Sequence, residues 1–223
     1  MDKSSVEFVH AKASIARDDR LQANHLGPFD SLAYAPRVVK TDLDTCKQLL
    51  ATPEPPSLGP ERRSGTLSES DVIATLQPMG SQARLSARRD ELIQALLLLW
   101  HDHLDSAHAL AQTTEDANGN FVHAIMHRRE PDAWNSKYWW RRVGDHPAFP
   151  ELARRVDALL GLHGDVKLAR RLLPGGHWDP AAFVDACVAT LNSAYSDPTM
   201  KLLREIQREE TEILLEHLFY DTK

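Results

Sequence analysis

The sequence predicts a mainly α fold, a single-domain helical bundle-like array with a loop-rich N-terminal arm. Three observations carry this. From about residue 81 to 112 the chain holds neither proline nor glycine and is rich in Leu, Ala, Arg and Gln, which favours one long helix. Two later segments share a helix-start signature, Asp179-Pro180 and Asp197-Pro198: an acid that can cap, then a proline where a missing amide costs nothing. No stretch alternates convincingly between apolar and polar residues, and 121–127 is the one strand candidate.

In chain order, residues 1–37 show no clear period, and "GPF" and "APR" punctuate them as turns or extended chain. "TDLDTCKQLLA" is a short helix that Thr41 can cap, with Leu43, Cys46 and Leu50 on one face. The proline-rich stretch 52–65 is expected to be extended and exposed, because proline removes amide donors and blocks helix continuation. "SESDVIATLQPMG" is another short helix, ended by Pro78 and Gly80. After the long helix, a turn is expected around Asn118-Gly119. "FVHAIMHRRE" stops at Pro131, and "WNSKYWWRRVG" is a short helix with an aromatic face. "FPELARRVDALLGLHG" opens on proline and closes on glycine, and the final segment from Asp197 is a long amphipathic helix. This divides the chain into an arm and linker over 1–66 and a helical core over 67–223.

With 223 residues, 42% apolar, the chain can bury a sizeable core without staples. The net charge of −6 argues against a general nucleic-acid binder, so no nucleic-acid partner is expected. The longest apolar run, "ALLLLW", is far short of a membrane span, so no membrane partner is expected either. Two distant cysteines, Cys46 and Cys187, make no disulfide framework and read as core thiols. The first residues lack the apolar core of a signal peptide, and a cytoplasmic location is expected.

The chemistry gathers in "HDHLDSAHALAQ", 101–112, and "HAIMH", 123–127. On an unbroken helix at 100° per residue, His101, Asp105, His108 and Gln112 share an arc of roughly 60°, with Gln94 on the same line. Asp102 and His103 point elsewhere and read as surface residues. His123 and His127 project together whether the segment is helix or strand. If that segment folds back beside the long helix, His101, Asp105, His108, His123 and His127 converge. Such a set suits a divalent transition metal, zinc or iron, or metal-free acid/base work by histidine oriented by aspartate.

The stretch 127–149 packs three tryptophans, one tyrosine, four arginines and one lysine into 23 residues. Arginine binds oxyanions through a planar fork and the aromatics supply flat walls, so Arg128, Arg129, Tyr138 and Trp139, with Gln112, are candidate substrate contacts for an anionic or aromatic small molecule. The structural reading has these arginines paired with buried acids and the aromatics filling core.

The strings "WHDHLDSAHALAQ", "HAIMHRREPDAWNSKYWWRRVGDHPAF", "WDPAAFVDACV" and "QREETEILLEHL" resemble a family of fungal and bacterial proteins that carries no established activity. The resemblance spans roughly residues 88–218 and leaves the N-terminal 80 residues outside. It implies one recurring module, and a fungal source would make secondary metabolism its context. It supplies no reaction.

Glu210 interrupts the apolar stripe Leu203, Ile206, Ile213, Leu214, Leu218 of the last helix, as does His217. A buried acid needs a partner, so Glu210 is expected to face a cluster histidine, as an acid/base group, or an arginine of 128–142. His177 reads as a loop residue. No GxSxG, Walker or GxGxxG motif occurs. The expected function is a small-molecule enzyme using the His/Asp cluster with an Arg/Trp-lined pocket. The rival is a non-catalytic helical ligand- or protein-binding module whose cluster is a structural hydrogen-bond network.

Overall fold

The computed structural model describes residues 42–80 and 85–220. The expectations placed on the first 41 residues, Thr41 as a cap among them, lie outside the described residues. Among these, the regular structure is all helical. A first helix α1 (42–50) precedes α2 (Glu69–Gly80), α3 (Ala87–Trp100), α4 (Leu104–Ala111), α5 (Ala117–Arg129), α6 (Ala133–Val143), α7 (Phe149–His163), α8 (Val166–Leu172), α9 (Pro180–Thr190) and α10 (Pro198–Tyr220). No helix is long and apolar enough to cross a membrane among the described residues.

Local chemistry fixes most boundaries. Ser86, Asp116, Asp132, Asp165 and Asp179 each accept a hydrogen bond from a first-turn amide of the helix they start, satisfying donors that have no intrahelical partner. Gly164 closes α7 in the left-handed conformation, with φ of 71°.

The long helix expected over 81–112 is two helices. Asp102 has φ of 68°. His103 N–H donates to Leu98 O at 2.9 Å and Asp102 N–H to Leu99 O at 3.2 Å, the paired bonds that end a helix on a left-handed residue. Asp adopts that conformation at a cost most residues cannot meet. α4 then leaves in a new direction. The turn expected at Asn118-Gly119 is also displaced: both residues lie in the first turn of α5, and 112–116 make the connection. Residues 121–127 are helix, not strand.

Two apolar clusters form the core. One gathers α3, α5 and α1 with the C-terminal half of α10; the other gathers α7, α8 and α9 with its N-terminal half. At 23 residues α10 runs about 35 Å, long enough to serve both. α5 is buried from Gly119 to Arg129 on all sides, as expected of a central helix.

The proline-rich stretch departs from the expected exposed linker. Pro55, Pro56, Ser57, Leu58 and Gly59 are buried, and Leu58 is fully so, in the second cluster. Prolines leave carbonyls without neighbouring amide donors, and α10 supplies them. Arg204 donates to the carbonyls of Pro55 and Pro56, and Gln207 Nε2 donates to those of Pro56 and Ser57 at 3.2 Å each. The segment is a strap across α10.

Candidate metal centre

His123 and His127 lie one turn apart on α5, and α4 brings His108 against them. One potential ligand atom from each imidazole lies within 4.8 Å of the other two. His123 and His127 are buried and His108 is half-buried. The rings of His123 and His127 are parallel, 5.2 Å apart with planes 10° apart, while His108 stands edge-on to both.

The approach of α4 to α5 depends on a backbone contact. A Cβ on Gly119 would lie 2.2 Å from the carbonyl oxygen of Thr114. Glycine lets the chain turn tightly enough to set His108 opposite its partners.

His127 is oriented. Its Nδ1 bonds to Glu130 Oε2 at 3.0 Å, so a neutral ring donates from Nδ1 and keeps its lone pair on Nε2. The side-chain amide of Asn135 sits 3.2 Å from that Nε2. His123 Nε2 is buried with no hydrogen-bond partner among the described residues. Burial pushes His123 down to about 4, reinforced by His108 and His127. Burial also lowers His127, outweighing the pull of Glu130. Metal ligation requires neutral imidazole.

Trp139 extends the cluster. Its ring lies flat on His123, at 4.1 Å and 13°. Tyr138 packs edge-on to Trp139 and is partly exposed.

The other sequence-predicted residues fall elsewhere. The arc that joined His101 to Asp105, His108 and Gln112 assumed an unbroken helix, and the break at Asp102 takes His101 out of it. His101 is buried against the strap side, where Nδ1 accepts from the Leu67 amide at 3.2 Å. Asp105 is exposed, as is Gln112 at the end of α4. Asp102, expected at the surface, is 3% exposed and bonds Arg129 at 2.7 Å and Arg63 at 3.0 Å. Burial would raise its carboxyl; Arg129 and Arg63 outweigh that and hold it below the ordinary range.

Arg128 and Arg129 are not open to a ligand. Arg129 is committed to Asp102 and to the Leu99 carbonyl. Arg128 pairs with Glu210, Nη1 to Oε1 at 3.2 Å, both fully buried, and also with Gln207. Glu210 therefore faces an arginine and not the imidazoles. Burial works against the Arg128 cation, and the Glu210 carboxylate more than offsets it. Both cysteines are free and buried, each thiol pushed up to about 12 mainly by burial, so neither is a ready nucleophile.

Sequence reasoning missed Glu130 and Asn135. Glu130 stands three residues after His127, a spacing that puts both on one helix face. Asn135 had no comparable signal, because its place depends on how α6 folds back along α5. No family model, curated protein or solved structure matches the chain.

Proposed function

We propose that this protein is a metal-dependent enzyme acting on a small molecule, with His108, His123 and His127 as the ligands of a divalent transition metal. The observation that carries the reading is the convergence of three imidazoles from two helices within 4.8 Å, one with a carboxylate behind it. A tetrahedral zinc would space its nitrogens about 3.4 Å apart, so modest rotamer adjustment closes the triad. Three imidazoles without a carboxylate ligand suit zinc with an open fourth position better than the two-histidine, one-carboxylate iron pattern. A metal held there would supply a Lewis acid beside the substrate. Glu130 fixes the His127 tautomer, Trp139 walls one face of His123, and His108 is the ligand nearest solvent. Two buried, unpaired thiols accord with a cytoplasmic setting.

A second reading has the imidazoles packing as neutral aromatic rings in a non-catalytic module. It is favoured by the parallel stack of Trp139, His123 and His127. Elemental analysis of protein purified without a histidine tag separates the two. The enzyme reading expects one zinc per chain, lost in His123→Ala and His108→Ala and kept in Asp105→Asn. Helical circular dichroism checks that the variants fold. Folded wild-type protein that retains no metal after equilibration with zinc sinks the metal reading.

A further inference from the structure

Beyond that metal-centre reading, we propose that the protein binds a small dipolar molecule, carrying a cationic group and an oxyanion, between Asp105 and Arg62. The place is a cavity of about 440 Å³ beside the start of α4, within the range of small-molecule sites, about 300–1,000 Å³. Its lining includes Glu130, which bonds His127 on the Nδ1 side turned away from the proposed metal, and Leu104, one turn before His108. The strap forms another wall through Pro60 and Arg62.

Most of the acids that line this cavity already hold a hydrogen-bond or ion-pair partner. Asp102 is neutralised by Arg63 and Arg129. Glu69 accepts from Ser106 Oγ at 2.7 Å, and Glu130 is engaged by His127. Two charges are left. Asp105 is exposed and has no hydrogen-bond or ion-pair partner among the described residues. Among the described residues Arg62 meets only the ring of His103, Nη2 to Nδ1 at 2.8 Å. A guanidinium has donors only, so that ring nitrogen accepts, while His103 Nε2–H donates to the Leu67 carbonyl at 2.9 Å. The pair is therefore uncompensated, and most of the Arg62 fork is open.

An isolated anion entering the cavity meets Asp105, Glu69 and Glu130. An isolated cation meets Arg62. A molecule with both charges satisfies each end, and two-point binding selects their separation. A wider cavity of about 890 Å³ shares Arg62, Glu69 and His103 with this one and opens toward solvent, so a longer ligand has room beyond Arg62.

Calorimetric titration of the zinc-equilibrated full chain with 3-aminopropanoate, 4-aminobutanoate and 6-aminohexanoate, against acetate and ethylamine, tests this. One amino acid of the series is expected to bind at least tenfold tighter than either singly charged probe. Arg62→Gln and Asp105→Asn, both exposed positions, are each expected to erase that advantage. Equal binding of all probes, or an advantage that survives both variants, overturns the proposal. Zinc content measured in the same samples keeps the two readings apart. Full zinc without the preference sinks the dipolar pocket alone, and the preference without zinc sinks the metal centre alone.

Discussion

Trp139 lies flat against His123, ring centroids 4.1 Å apart and planes 13° from parallel. An indole in that position senses whatever His123 binds. Zinc added to metal-free protein is expected to change tryptophan emission, with saturation at one equivalent. Trp139→Phe should bind zinc but lose most of the change, since the other four tryptophans lie outside this stack. An undiminished signal in that variant contradicts the assignment.

In the metal-centre reading, Glu130 would act on the metal through His127. Glu130→Gln keeps a hydrogen-bond acceptor but removes the charge that strengthens His127 as a donor. Zinc affinity is expected to fall about 10–100-fold, the usual cost of losing such a partner. Because Glu130 is exposed, the melting temperature should hold. A competition titration with a chelator of known affinity reads the first number, and calorimetry the second.

The metal-free protein should lose stability as acid is added. His123 titrates near 4 when folded, against 6.5 unfolded. Between those values the unfolded chain binds the extra proton, so unfolding free energy rises with pH across this window and falls as pH drops through it. The stabilisation is fully present above pH 6.5 and lost by about pH 4, up to about 3 kcal/mol. Urea titrations from pH 4 to 7 measure the slope. His123→Gln should flatten it, and an unchanged slope would refute the assignment.

Asp102 carries two burdens, a left-handed backbone and the pairing of Arg129. Asp102→Asn tolerates the backbone but leaves a buried guanidinium uncompensated, at an expected cost of about 3–5 kcal/mol. Asp102→Gly relieves the backbone and still loses the pair, so it should be no better. The Arg128–Glu210 pair offers a contrast. Arg128→Met alone should be severely destabilising, and adding Glu210→Leu should recover much of the loss. Chemical denaturation of the four variants tests both statements.

Gly119→Ala pushes a methyl to 2.2 Å from a backbone oxygen that cannot rotate away. The α4–α5 connection must open, and His108 moves with it. Stability is expected to fall by at least 2 kcal/mol, on the order of an overpacked core site, with zinc affinity falling in parallel. A variant with wild-type stability and affinity would show that the connection is looser than described.

Much of this architecture was legible in the sequence, because capping acids and the Asp-Pro starts act locally. The approach of His108 to His123 and His127 was legible too, through the four-residue spacing of the pair and a short connection. The placement of His101 was not. Asp102 ends α3 in a conformation normally signalled by glycine, and its side chain is held there by Arg63 and Arg129 from distant segments. Helical arithmetic carried across that residue loses the register between His101 and the side chains of α4. The strap was hidden for a similar reason. Proline-rich composition describes what a backbone cannot do for itself, and Arg204 and Gln207, some 150 residues away, do it instead.

α10 reaches into both apolar clusters, so neither has a private set of walls. Pulling that helix away strips part of the lining from each at once. The two halves of the protein should therefore melt together, in a single calorimetric peak, and no fragment ending before Pro198 should hold either half in its native shape.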